Sequence, residues 1–499
     1  MQALEAITMT LYLSKSKYCA GIQCPKMLWL RKNKPEEATP IINQAVLETG
    51  NKVGDLAMGL FGDFKEVPFG DFNEMITTTK ELLDSGEKII AEASFSYDGL
   101  FCSVDILKNL GDNTVEIYEV KSSTEVKPVY LDDVAYQHYV LSKLGYNVAK
   151  TCIVHINNQY VRQGDLELEK LFTIVDVSLV VRGKQKEVEN NLAIIAKHLE
   201  NEEEPAIDIG AHCTKPYGCE YFPYCTKHLP TPNIFNLRGA QFRTKIKHYC
   251  NGVHSFQQLL DSASLTYKQR LQVSHELFEQ ADYIDTDAIR GFMSQLTYPL
   301  YFLDFETFNS AIPLFDNAHP YEQIVFQYSL HYIEEKGGEL NHTEHLAYPG
   351  SDPRRALAEQ LCQDIPKDVC VIAYNSKFEK MVIKSLAALY PDLAEHLMNI
   401  HDNFADLMIP FEDKSYYNKA MEGSYSIKFV LPALFPNDPE LDYHNLEGVQ
   451  NGMEASNTFA LMNDMSNEEL EKHREYLLKY CKLDTYAMVK IWEKLQTLI

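Results

Sequence analysis

Two carboxylates placed two positions apart on an apolar strand repel each other and resist losing water. Tyr301-Phe302-Leu303-Asp304-Phe305-Glu306-Thr307 contains such a pair. Alternate strand residues point to one side, so Asp304 and Glu306 are expected to share a face with Phe302, while Leu303 and Phe305 face away. A bound cation is the usual remedy for the repulsion, and a strand end emerging into solvent is the other. A second pattern lies in Glu119-Val120-Lys121, where an acid and an ammonium share a strand face. Asp105, on the preceding strand, is placed to lie across from them. Carboxylates holding a divalent ion beside a lysine make a hydrolytic centre: the ion acidifies a water and polarises a phosphate, while Lys121 orients the water or meets developing negative charge. A hairpin with a surface Glu–Lys pair is the plainer reading.

A third pattern is the triplet Cys213, Cys219 and Cys225, separated by turn-forming Pro216 and Gly218. Three thiols so spaced converge, and tetrahedral coordination asks for a fourth. Cys24, beside a helix start at Pro25, is the best candidate and Cys19 the reserve. Four thiolates suit zinc or a [4Fe–4S] cluster alike. Free buried cysteines are the bland alternative, and His212 and His228 read as surface residues, with a ligand role in a zinc site as the alternative.

These residues sit in a chain of 499 residues with 45% hydrophobic content and a formal net charge of -25. The length predicts two or three domains. The charge argues against a general nucleic-acid coating protein but allows an enzyme that grips nucleic acid in a local groove. No apolar run reaches the roughly 18 residues that span a bilayer. Glu5 and the lack of a cleavable leader pattern predict a cytoplasmic protein with reduced thiols and no membrane partner.

The elements that must carry the chemistry follow from periodicity. Apolar spacing predicts a helix over 41–60. Strands are predicted at Ile89–Phe95, Gly99–Leu107 and Thr114–Lys121, with Gly111-Asp112-Asn113 as a turn. A helix follows around 132–141, in which Gln137 is placed to reach substrate or a metal-held water. Segments 149–156 and 171–180 read as β-rich, and 181–200 as helical. A connector over 231–295 is locally basic, with Arg238, Arg243, Lys245, Lys247, Lys268 and Arg270, and reads as a solvated helical surface, with a face toward a phosphate backbone as the alternative.

From 296 onward, strands are expected at Tyr301–Thr307, Gln323–His331, Glu344–Ala347 and Asp368–Tyr374, with a helix at 353–363. Ser376 or Asn375 is placed to cap a helix bearing Glu379 in its first turn. Asp406 and Lys428 are further polar candidates. The last helix, about Asn467 to Leu495, turns Leu477, Tyr480, Cys481, Asp484, Met488 and Ile491 inward. Asp484 stands where an apolar residue belongs, with Tyr480 one turn before it. Asp304, Glu306, Glu379 and Asp484 are enough acids for two divalent ions about 4 Å apart.

Cys24, Asp105, Glu119-Val120-Lys121 and the cysteine triplet together resemble the PD-(D/E)XK nucleases of the Cas4/RecB-like iron–sulfur class. The resemblance implies a restriction-endonuclease-like domain over 1–230, with Asp105 and Glu119 as metal ligands and Lys121 as the catalytic lysine. It also implies Cys24, Cys213, Cys219 and Cys225 as [4Fe–4S] ligands. The sequence departs from that pattern in lacking a histidine after the helical glycine and in carrying Leu141 where a Gln-x3-Tyr motif, begun by Gln137, would end. Asp304-x-Glu306, Asn375-x3-Glu379 and Tyr480-x3-Asp484 resemble the three motifs of the DEDD 3′–5′ exonucleases. They imply an RNase H-like domain over 296–499 using Mg2+ or Mn2+; Glu379 replaces the usual aspartate. The whole chain resembles DUF2779 proteins. The fold class expected is therefore α/β multidomain, and the function a two-centred nuclease acting on single-stranded DNA or DNA ends. RNA as substrate, or a nucleic-acid-binding or defence scaffold that no longer cuts, are the alternatives.

Overall fold

The computed structural model describes residues 12–40, 44–262 and 264–499; Glu5 and the first residues of the helix predicted over 41–60 lie outside them. The chain divides into two compact units. One comprises Met1–His228 with Ser310–Tyr321, the other Leu229–Asn309 with Glu322–Ile499. The basic stretch 231–295 thus lies within the second unit. Both units are α/β with mixed sheets.

The first unit holds strands Leu13–Ser14 (β1), Lys65–Glu66 (β2), Ile89–Tyr97 (β3), Leu100–Gly111 (β4), Thr114–Lys121 (β5), Asn147–Ile156 (β6) and Phe172–Asp176 (β7). They form a sheet ordered β2-β3-β4-β5-β6-β7, with β1 alongside β4. Two tight hairpins build its centre. Asp98 and Gly99 both take positive φ, as do Asp112 and Asn113, the backbone that matches the twist of adjoining antiparallel strands. The parallel β5–β6 pair is bridged by a helix, Pro128–Lys143. The longer helices are Lys15–Gln23 (α1), Pro25–Asn33 (α2), Gln44–Met58 (α3), Phe72–Asp84 (α4), Pro128–Lys143 (α5) and Ser178–Glu200 (α6). The last of these starts inside the segment expected to be β-rich to 180. Leu28, Val134, Tyr136, Val140, Val188 and Ile195 join Val104 and Ile117 of the sheet in one buried core. Leu141 is part of it, which is why an apolar residue suits that position.

The second unit holds strands Tyr283–Ile284 (β8), Leu300–Phe308 (β9), Ile324–Ile333 (β10), Asn341–Leu346 (β11), Cys370–Ala373 (β12), Phe404–Asp406 (β13) and Tyr416–Tyr417 (β14). β8 and β14 make a small ribbon, and the rest a sheet ordered β11-β10-β9-β12-β13. β10 is antiparallel to both neighbours, while β12 and β13 run parallel to β9. The relevant helices are Lys377–Leu389 (α7), Ile427–Leu434 (α8), Gly452–Leu461 (α9) and Asn467–Gln496 (α10). Tyr301, Leu303 and Phe305 enter the core on one side of β9. Phe302 enters the other core, with Ala487, Met488 and Ile491 of α10. The alternation expected of that strand therefore places Asp304 and Glu306 on the α10 side.

Candidate metal centres

The first acidic cluster is built on β4, β5 and α5. Asp105 precedes Ile106, the register partner of Tyr118, so it lies across from Glu119. Its Oδ2 accepts the Val120 N–H at 2.7 Å. Glu119 is buried, and three groups satisfy it. Lys121 Nζ lies 2.6 Å and Lys15 Nζ 2.7 Å from Oε1, and Gln137 Nε2 donates to Oε2 at 2.7 Å. Asp133, one helical turn before Gln137 on α5, takes Lys121 at 2.6 Å. Lys15 also faces Asp105 and Asp133, each at 3.8 Å.

Burial would raise the Glu119 carboxyl, but Lys121 and Lys15 overcome it and hold it well below the usual range. Burial and then Glu119 push Asp105 up to about 6, and the same two causes raise Asp133. Glu92, at a positive-φ position within β3, is pushed up to about 7 by burial and by Asp105. Gln137 is thus spent on Glu119 and Asp133, though its buried Oε1 has no hydrogen-bond partner.

The four nominated cysteines line one small cavity with Lys26, Met27, Leu30, His212 and Tyr221. Cys19 is not among its walls and packs instead against the sheet core. Polar ties draw the distant segments together: Gln23 Nε2 donates to the carbonyls of His212 and Tyr217, each at 2.8 Å, and Arg31 pairs with Glu220. Burial pushes all four thiols up, Cys219 to about 11. A metal is what would convert such thiols to thiolates, so the donor set fits a thiolate-bound group.

The second acidic cluster is built on β9, α7 and α10. α10 is fixed against β10 by buried polar contacts: Gln327 Nε2 donates to the Leu477 carbonyl at 2.9 Å, and Thr485 Oγ1 meets Ser329 Oγ at 2.8 Å and His331 Nδ1 at 2.7 Å. That docking turns Tyr480, Cys481 and Asp484 toward β9. The Cys481 thiol donates to Asp304 Oδ2 at 3.7 Å. Among the described residues, Asp304, Glu306 and Cys481 are the one set of three or more metal-binding side chains whose ligand atoms all lie within 4.8 Å of one another.

Burial, then Asp484 and Glu306, raise Asp304 far above the ordinary carboxylate range, and Glu379 adds to this. Burial, Asp484 and Glu379 do the same to Glu306. Burial pushes Glu379 up to about 8, and its Oε2 is buried without a hydrogen-bond partner. Asp484 rises to about 6 through burial, moderated by hydrogen bonds from Tyr443 and Tyr480. Tyr443 donates to Asp484 Oδ1 at 2.6 Å. Lys428 tempers Glu306 and Asp484 through space. Among the described residues no lysine or arginine pairs with any of the four acids.

Two polar candidates have other work. Asp406 accepts the N–H groups of Asn375, Ser376 and Met408 and the Ser376 hydroxyl, at 2.9–3.2 Å. It thereby ties the turn ahead of α7 to β13. The cap expected from Ser376 or Asn375 is not made: the Ser376 side chain makes no capping bond, and Asn375 holds the turn with a φ of 70. The basic stretch is partly consumed internally: Lys245 donates to the Phe235 carbonyl, Arg238 lies over Phe429 and Lys268 pairs with Asp413. The sequence pattern assigns no site role to Lys15, Asp133 or Tyr443. Asp133 alone carried a signal, one turn before Gln137.

Residues 301–426 match the model of a domain of unknown function, DUF2779. The chain is 30% identical over 220 residues to the uncharacterized protein MG366 of Mycoplasma genitalium, a match covering 40% of this chain and 32% of that protein. It is 25% identical over 212 residues to the uncharacterized protein UU173 of Ureaplasma parvum, covering 38% and 30%. The chain thus spans about a third of the length of these relatives. No helix among the described residues is long and apolar enough to cross a membrane.

Proposed function

We propose that the protein is a metal-dependent phosphodiesterase acting on nucleic-acid ends. The second unit would trim from a 3′ hydroxyl, and the first would cut ends or flaps of single-stranded DNA. The observation that carries this reading is the close set of Asp304, Glu306 and Cys481, with Asp484 and Glu379 near enough to raise both carboxyls and no lysine or arginine paired with any of these acids among the described residues. Such a cluster is costly unless protonated or filled by a cation. An RNase H-like reading is supported by the central β9, the single antiparallel neighbour running between β9 and β11, and α10 lying against β9.

A Mg2+ or Mn2+ ion held by Asp304, Glu306, Glu379 and Asp484 would supply Lewis acidity toward a phosphodiester. Tyr480 and Tyr443 hold Asp484 in place through their hydroxyls. In the first unit, Asp105, Glu119 and Asp133 are the acids that would hold an ion, and Lys121 is fixed by Glu119 and Asp133 beside them. Four thiols lining one cavity would suit a [4Fe–4S] cluster, with zinc as the alternative. Such a cluster would be structural, joining residue 24 to residues beyond 210.

End-labelled DNA and RNA test the assignment. Asp304→Ala is expected to abolish 3′ trimming, about a thousandfold, and Lys121→Ala a separate cleavage, about a hundredfold. Unchanged activity in both single variants and in the double variant would end the proposal. Anaerobic purification is expected to give a brown protein with roughly four irons; one zinc and no colour would reassign the cysteine site alone.

A further inference from the structure

The ammonium of Lys15 occupies an unusual position. It is the first residue of α1, immediately after β1, far in sequence from every acid it meets. Its Nζ lies 2.7 Å from Glu119 Oε1, 3.8 Å from Asp105 Oδ1 and 3.8 Å from Asp133 Oδ1. Three carboxylates from three different elements thus converge on one cation, less tightly gathered than Asp304, Glu306 and Cys481 are. Lys121 is engaged differently. It makes two short contacts, 2.6 Å to Glu119 and 2.6 Å to Asp133, and none of its ion pairs reaches Asp105 among those described. Lys15 has one short contact and two long ones, so it is the more loosely held of the two.

We infer that Lys15 is a second functional lysine of the first centre: its ammonium holds the divalent-cation position while the centre is empty, and yields that position when Mg2+ or Mn2+ enters. The inference rests on the proposal that Asp105, Glu119 and Asp133 bind metal. A divalent ion offsets three carboxylates better than a single ammonium, but it must first displace Lys15, which lowers its apparent affinity. The side chain is partly exposed, and once displaced its flexible four-carbon stem leaves it free to meet a phosphate oxygen of the substrate. Metal loading and substrate binding would then favour one another, because a phosphate that engages the ammonium removes the competitor from the site.

The test uses the full chain carrying Asp304→Asn and Glu306→Gln, so that Mn2+ binding reports the first centre. Free Mn2+ is followed by electron paramagnetic resonance. Lys15→Met is expected to tighten Mn2+ binding about tenfold (about 1.4 kcal/mol), while Lys15→Arg stays near the parent value. In the unaltered chain, Mn2+ is expected to increase labelling of Lys15 by an amine-reactive reagent, read by peptide mass. This second readout stands if a variant fails to fold. Equal Mn2+ affinity in parent and Lys15→Met, with Lys15 labelling unaffected by Mn2+, would reduce Lys15 to a structural ion pair and overturn the inference. Absence of Mn2+ binding in parent and variant alike would instead remove the metal reading of the first centre, and the inference with it.

Discussion

Asp105, Glu119 and Asp133 are met by ammonium groups, whereas in the second cluster Asp484 is met by phenols and Asp304 by a thiol, with no ion pair to any of the four acids among the described residues. Each group joins strands of a mixed sheet to helices beside it, and most of its members are buried. The first balances most of its charge from within the chain. The second cannot, and burial with mutual repulsion drives its carboxyls upward. The contrast separates two ways of keeping acids together: internal neutralisation, which makes an empty site comfortable, and deferred neutralisation, which leaves an empty site hungry for cations.

The sharpest way to break that contrast is to remove one charge from each centre. Glu119→Gln strips two lysines of their shared partner and is expected to destabilise the metal-free protein by roughly 2–3 kcal/mol. That is less than for a wholly buried pair, since both lysines are partly exposed. Asp304→Asn is expected to act in the opposite direction, stabilising the metal-free protein at pH 8 by about 1–2 kcal/mol because it deletes a repelled buried charge. Denaturant unfolding of both variants in chelator decides this; the same sign in both would collapse the distinction.

The pH dependence sharpens it further. Glu379 rises from 4.5 to about 8 and Asp484 from 3.8 to about 6 when folded. Groups raised on folding stabilise below their unfolded values and lose that stabilisation as pH climbs through the folded ones. Metal-free thermal stability should therefore fall from about pH 4 to 8 on account of the second centre, and saturating Mn2+ should restore it by about 2.7 kcal/mol at a hundred times Kd. Glu119 works the other way: its carboxyl is held low, so its contribution is present above 4.5 and fades as pH drops below that. Thermal melts from pH 3 to 9, with and without Mn2+, check both slopes.

Smaller effects follow from the groups beside the second acids. The Cys481 thiol lies against Asp304 and Glu306, and sulfur favours zinc or cadmium over magnesium. Cys481→Ser is expected to shift preference toward Mg2+ severalfold, measured by competitive metal titration. Tyr443→Phe removes one hydrogen bond to Asp484, about 1–2 kcal/mol for a bond to a charged group. It should weaken Mn2+ binding roughly tenfold at the second centre while leaving the first unchanged.

Local pattern carried a good part of the architecture. The alternation in β9 put Asp304 and Glu306 on one side, and the stripe of α10 put Tyr480, Cys481 and Asp484 on the same face. The turn at 111–113 marks the hairpin that brings Asp105 opposite Glu119. Partners supplied by remote segments were not legible. Lys15 reaches Glu119 across 104 positions and Tyr443 reaches Asp484 from a loop without periodicity. Asp406 reads as a site candidate because it is an acid that follows a short loop; its partners are backbone N–H groups and the Ser376 hydroxyl, and nothing in its neighbours Ala405 and Leu407 reveals them. Spacing nominates donors on one element, but long-range pairing decides which of them neutralise one another.

The segment Ser310–Tyr321 belongs to the first unit although it is coded after β9. Ala311 is buried there beside Tyr160 and Leu171, Arg162 donates to the carbonyls of Pro313 and Leu314, and the Gly164 N–H donates to Asp316. A gene truncated after His228 would therefore encode a fragment with a socket and no plug. Half-genes of this protein are not half-proteins, and a shortened product that misbehaves in solution would indict the cut rather than the chemistry.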